Sequence, residues 1–306
     1  RTSIRQGNAV IAIKDVSDAI LWSWHVWVTD EDINNVIEIT NHQNVKYNFM
    51  PVNLGQCDGN TITYEERSCK VKFIAGDQSK EITIKQLANV IATGSNAPFY
   101  QWGRKDPLYP SNGMGNTTKI WYDKEGIPST ANPMKGTFSA GNDCIKNCIL
   151  NPNLMHNRYN GDYTYYNLWS ADNKTTSAND NPVNKTIYDP CPVGFKLPAS
   201  NAFTGFTTTG ESVSSSTQVN GTWSSSEKGW YFYTNSEKTQ SIFFPALGYR
   251  SYSTMRPGSI GTQGCFWSAH PVAKGNNYYL RTSSVDVQPT YMVDRGFGYA
   301  LRPCQD

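Results

Sequence analysis

Apolar and polar positions alternate most clearly at two places near the start of the chain. Residues 8–14, NAVIAIK, and 19–28, AILWSWHVWV, are rich in β-branched and aromatic side chains, and the polar KDVSD between them reads as a turn. Two strands are predicted, with His25 on the face opposite Trp24. CKVKFIAGDQSKEITIKQL (69–87) predicts a second hairpin, with Val71 and Phe73 sharing one face, Ile82 and Ile84 sharing another, and the turn in AGDQSK.

Elsewhere the periodicity is weaker. Residues 94–142 are rich in Gly, Pro, Asn and Ser and read as ordered loops pinned by Phe99, Tyr100, Trp102, Trp121 and Tyr122. GNDCIKNCILNPNLM (141–155) predicts a helix, with Asn142 or Asp143 at its start and Asn151-Pro152 at its end. Residues 170–184 are a polar connection, and from Tyr188 onward short strands and turns are expected. WSSSEKGWYFYT (223–234) and WSAHPVAKGNNYYLRT (267–282) share a plan of Trp-Ser, polar turn and aromatic strand. They predict neighbouring hairpins of one sheet. YDPCPVGFKLP (188–198) excludes a helix by its prolines and fixes the backbone around Cys191.

Composition narrows the class. Charged residues are 17% of the 306 and aromatics 13%, with 18 Tyr and 9 Trp. That palette suits a β-rich, loop-rich extracellular protein. The formal charge of +2 comes without a basic run, which argues against nucleic-acid binding. No stretch approaches 18 apolar residues, so no helical membrane span is expected. The opening RTSIRQGNAV, without Met, reads as the start of a mature or truncated fragment with upstream domains before it. Seven cysteines leave at least one unpaired within the chain.

NFMPVNLG (48–55), FYQWGRKDP (99–107), IKNCILNP (145–152), YYNLW (165–169), YDPCPVGFKLP (188–198), FFPALGYR (243–250), FWSAHP (266–271) and RGFGYALRPC (295–304) follow one another in this order. Together, from about residue 24 to the end, they resemble the major paralogous domain first described from Fibrobacter succinogenes, also found in surface and fimbrium-associated proteins of Bacteroidetes. The resemblance implies an α+β, C-type lectin-like fold of short antiparallel strands, one or two helices and long ordered loops, preceded by a β-strand element. Residues 1–23 are then a terminal strand or linker from an upstream β domain, and residues 24–306 the lectin-like domain. In that fold a disulfide ties an early cysteine to the last strand, which implies a Cys191–Cys304 bridge; a buried free thiol at Cys191 is the other reading.

The resemblance further implies a non-enzymatic module for recognition or adhesion at the cell surface, extracellular and associated with the outer membrane and a fimbrium. Its partners would be a host or bacterial-surface glycan or protein, with other fimbrial subunits besides. Trp230, Tyr252, Met255, Arg256 and Tyr291 lie in the polar connections that carry ligands in lectin-like domains, and they are the candidate ligand-binding residues. Trp223, Tyr249, Phe244 and Trp267 are candidate core, and Arg250, Arg295 and Arg302 candidate ion-pair or carbonyl clamps. Three alternatives stand beside this reading. One is a pilus subunit joined by strand addition, with residues 1–14 extended and unpaired in a monomer, or inserted in a neighbour. Another is an enzyme on a scaffold like that of the formylglycine-generating enzymes, with Cys265 as the thiol. A display protein with diversified loops is a third.

Metal and catalytic chemistry find little support in the residues. Gln288-Pro289-Thr290 lacks the last oxygen ligand of a calcium-lectin loop, and no Trp-Asn-Asp is present. Cys144, Cys148 and His156 lack a fourth zinc ligand. His25, His42, His156 and His270 lie in no catalytic motif, and Asp30, Glu31 and Asp32 read as an acidic turn. No cofactor or metal is expected.

Overall fold

The computed structural model describes residues 6–57, 62–91, 97–108, 121–122, 127–129, 137–138, 144–152, 154–156, 167–172, 176–272 and 275–306. It overturns the α+β expectation. Strands make up 45% of the chain against 7% helix, arranged as several small antiparallel sheets. Within the predicted helix, Cys144–Leu150 is helical and ends ahead of Asn151-Pro152 as expected. Its expected caps Asn142 and Asp143 lie outside the described residues, as do the side chains of Trp121, Tyr122 and Cys144.

The last residues of the chain hold the body together. Cys304 and Gln305 pair with Lys196 and Phe195 on one side, and Cys304 pairs with Phe49 on the other, within a sheet that ends at Ile37–Thr40. Upstream, Leu54 N–H donates to the Leu301 carbonyl, and Trp267 N–H to that of Ala300. Gly298–Tyr299 joins Tyr100–Gln101 to Tyr249–Arg250 in a second four-stranded sheet completed by Pro257–Gly258.

The two echoing hairpins fall in different sheets, contrary to the expectation of one. Gly221–Ser224, Gly229–Tyr233 and Ser241–Pro245 form one three-stranded sheet, and Gln263–Pro271, Asn276–Ser283 and Val287–Asp294 form another. Between them lies an aromatic core in which Phe206 and Phe232 stack at 3.9 Å and Phe244 meets Phe203, Phe206, Phe232 and Phe266 edge-on. Rings of this size supply large buried area, and edge-on contacts suit their quadrupoles. A second cluster gathers Tyr100, Trp102, Trp169, Trp267, Tyr279 and Tyr299.

The proline-rich segment 188–198 lies beside the C-terminus, but no disulfide holds it. Cys191 and Cys304 are both buried thiols, which corrects the expected bridge. Ionic clamps fix the segment instead. The Lys185 ammonium donates to the carbonyls of Cys191, Pro192 and Phe195 at 2.6, 2.9 and 2.6 Å. The Asp189 carboxylate accepts from the backbone N–H groups of Cys191 and Leu197 at 2.8 and 3.0 Å. Burial raises the Asp189 carboxyl and pushes the Cys191 thiol far up; Cys304 is pushed up to about 12.

Arg302 acts as a carbonyl clamp. Its guanidinium reaches Asn53 Oδ1 and the carbonyls of Met50, Pro51 and Phe243, and lies 4.3 Å from the Phe244 ring. Burial lowers it to about 9.

Strand Ile20–Val28 crosses the 23/24 boundary without a break and pairs with Gly7–Lys14. The turn between them is closed by the Asp15 carboxylate, which accepts from Ser17 and Ala19 N–H. Alternate residues dock this hairpin on the body. Ser23 is buried against Lys105 and Asp106, His25 meets Tyr100, and Trp27 Nε1–H donates to the Gln56 carbonyl at 3.0 Å. The pairing of Gly7–Lys14 within the chain differs from the unpaired segment that strand addition would need in a monomer.

Candidate functional site

A short hairpin loop presents part of the expected ligand face. Tyr249–Arg250 and Pro257–Gly258 pair, and residues 251–256 form the tip. The hairpin starts at Gly248, where φ is 74° and an added Cβ would sit 2.2 Å from the Gly258 carbonyl oxygen. Only glycine takes that turn without strain. The tip is tied internally. Ser251 N–H donates to the Arg256 carbonyl, Met255 N–H to that of Ser251, and Arg250 Nη1 to that of Met255 at 2.9 Å. Arg250 is buried, which lowers its guanidinium to about 10.

The tip leads into a chain of rings. Tyr252 lies 4.8 Å from Phe297, Phe297 5.8 Å from Tyr299, Tyr299 4.6 Å from Tyr279, and Tyr279 5.8 Å from Tyr291. Tyr299 also rests 4.5 Å from Trp267 in the core. The two ends reach the surface, with Tyr252 half-buried and Tyr291 46% exposed. Arg281, held by Asp286 at 3.0 Å, stands 5.9 Å from the Tyr291 ring. Arg256 and Met292 are exposed and Met255 is half-buried. Burial raises Tyr279 and Tyr299 above the ordinary phenol range, so both stay neutral donors.

Of the five candidate residues, Tyr252, Met255 and Arg256 share the tip, and Tyr291 stands at the other end of the ring chain. Trp230 belongs elsewhere. It is 1% exposed, packs 5.9 Å from Trp223 and donates Nε1–H to the Ser283 carbonyl at 2.7 Å, where it ties the two three-stranded sheets together. Sequence reading missed Tyr279, Phe297 and Tyr299 as the supports of this strip. The aromatics of RGFGY were visible, but their neighbours come from pairings such as Tyr299 with Tyr100.

Polar clusters elsewhere are committed to the fold. Lys105 Nζ donates to Ser23 O, Ser23 Oγ and Asp106 Oδ2 at 2.8, 2.5 and 2.6 Å, and lies 4.5 Å from the Trp22 ring. Burial lowers its pKa against the pull of Asp106. The cleft beside it, lined by Trp102, Ile145, Cys148, His156, Leu168 and Tyr188, also includes Arg104, whose guanidinium reaches the carbonyls of Pro152 and Leu154. Ser200 Oγ lies 3.3 Å from His270 Nδ1, but both residues are fully buried, out of reach of a substrate. Cys265 is a buried thiol raised to about 12, far from the reactive thiolate range. Among the described residues no three His, Cys, Asp or Glu side chains gather as a metal site would need.

No family model matches the chain, and comparison with curated proteins and with solved structures yields no significant match. Among the described residues no helix is long and apolar enough to cross a membrane.

Proposed function

We propose that this chain is a non-enzymatic recognition module of a bacterial cell surface, associated with a fimbrium, that binds a glycan or a protein through Tyr252, Met255, Arg256 and Tyr291. The observation that carries the reading is the ring chain from Tyr252 to Tyr291, anchored on Trp267, with half-buried Tyr252 at one end and exposed Tyr291 at the other. The inner rings Tyr279 and Tyr299 are buried and hold the end tyrosines in place, so Tyr252 and Tyr291 offer contact area at low entropy cost, with Arg256 and Arg281 beside them for hydrogen bonds to hydroxyls or carboxylates. The self-tied tip favours binding because little order must be gained on contact. The motif series from residue 48 to 304 adds the cell-surface setting by resemblance. The test is an array of glycans and extracellular-matrix proteins probed with the purified chain. Reproducible capture by one ligand class supports the reading, and no capture across the array argues against it.

A further inference from the structure

The aromatic strip stands where the chain is short of acidic residues. From Lys238 to Val285 there is no Asp or Glu, while Lys238, Arg250, Arg256, Lys274 and Arg281 are all cationic. The elements that build the strip, residues 249–258 and 276–299, hold Arg250, Arg256, Arg281 and Arg295 against Asp286 and Asp294. A surplus of positive charge on one surface draws anions to it.

These four cations differ in what they already hold. Arg250 is buried and donates to the Met255 carbonyl at 2.9 Å. Arg295 is buried, with its guanidinium 4.2 Å from the Trp102 ring. Arg281 is paired with Asp286 at 3.0 Å. Arg256 is exposed, and among the described residues no hydrogen bond or ion pair holds its guanidinium. The anion is therefore expected at the tip of the 249–258 hairpin, not at the Tyr291 end.

The tip is polar where it meets water. Ser253 and Thr254 are exposed beside Arg256, whereas Met255 is half-buried and packs against the aromatic core. Tyr252 stands edge-on to Phe297 at 4.8 Å. The tip thus offers two hydroxyls, a guanidinium and one phenol ring, and none of its exposed side chains is apolar. A protein partner takes hold chiefly through apolar anchors in packed pockets. It would find its apolar contact at the other end, on Tyr291 and Met292, where the cation is already neutralised.

We propose that the ligand of the strip is an acidic saccharide, with a sugar carboxylate on Arg256 and the sugar ring against Tyr252. This rests on the recognition reading above and narrows it. A guanidinium meets a carboxylate through two parallel N–H···O bonds, stronger than neutral ones and specific in direction. The Ser253 and Thr254 hydroxyls both donate and accept, as ring hydroxyls require.

The test is capture of the purified chain on an array of paired glycans, in which each uronic or sialic acid oligosaccharide stands beside its carboxyl-reduced form. Neutral glycans, sulfated glycans and glutamate-rich peptides complete the array. Capture on carboxylated members that weakens with added salt is expected. Reducing the carboxyl should lower affinity roughly tenfold or more, the size of a lost charge-assisted hydrogen bond. Arg256→Gln, on an exposed side chain, should lower it by the same factor, and in that variant carboxyl reduction should have no further effect. A folded Arg256→Gln chain that still tells the two members of a pair apart overturns the proposal. So does a preference for neutral glycans, sulfated glycans or peptides over carboxylated sugars. If Tyr252→Ala with Tyr291→Ala abolishes that other capture, the recognition reading survives without the acidic sugar. Capture nowhere on the array overturns both.

Discussion

The Lys185 ammonium lies 2.6 Å from the carbonyl oxygen of Cys191, and with its companions at Pro192 and Phe195 this contact fixes the segment locally, while the pairing of Phe195 and Lys196 with Gln305 and Cys304 ties it to the C-terminus in place of a covalent bridge. Cys191 and Cys304 should therefore behave as buried thiols with raised pKa. In the native protein at pH 8 neither should react with a thiol reagent, and both should appear on denaturation without reductant. A peptide map that joins Cys191 to Cys304 would contradict this. Lys185→Met should cost about 2–4 kcal/mol in urea unfolding, because it strands carbonyls that accept from a charged donor.

The node of Ser23, Lys105 and Asp106 fastens the N-terminal hairpin to the body. Lys105→Met should cost about 3–5 kcal/mol, since it leaves the Asp106 carboxylate buried without its cation. Protease digestion would then cut first between residues 14 and 30. A cost below 1 kcal/mol would mean the node is not desolvated in solution.

Burial pushes His25 and His270 down to about 4, from an ordinary value near 6.5. The unfolded chain takes up these protons below about pH 6.5, while the folded one resists until about pH 4. The contribution of these two groups should thus be flat above pH 7 and fall between about 6.5 and 4. The loss is at most about 3 kcal/mol for His270 and less for half-buried His25. Urea melts across that range should show the slope, and the double variant His25→Gln, His270→Gln should flatten it. An unchanged slope would assign the effect to other groups.

Trp230→Ala should cost about 3–5 kcal/mol, as should Trp267→Ala, whose ring is buried and whose Nε1–H donates to the Tyr100 carbonyl at 2.8 Å. Trp24, 44% exposed on the outer face of its hairpin, should tolerate alanine with a change under about 0.5 kcal/mol. Equal costs at the three positions would contradict the burial described.

The long hairpins were legible because alternation sets both the strand and its face. Gly7–Lys14 with Ile20–Val28, and Arg67–Ala75 with Gln78–Gln86, lie where the pattern put them, and the Gly76 turn follows AGD. The rest was not legible, for identifiable reasons. Strands such as Tyr100–Gln101 and Gly298–Tyr299 are two residues long and carry no period. Lys105 meets Ser23 across 82 residues, and nothing local announces it. Trp230 follows the polar stretch SSSEKG in sequence, yet its strand lies between two others, and that pairing buries it. Three of the expected contact residues share one loop tip because they are nearly consecutive; the rings that link that tip to Tyr291 became visible only through sheet pairing.

The most direct test of the recognition reading is the affinity of the triple variant Tyr252→Ala, Arg256→Ala, Tyr291→Ala for whichever array ligand the native chain captures. The strip predicts at least a hundredfold loss with melting temperature and circular dichroism unchanged, since hot-spot side chains each carry about 1–2 kcal/mol or more. Undiminished binding by a folded triple variant would place the ligand on another surface and contradict the account.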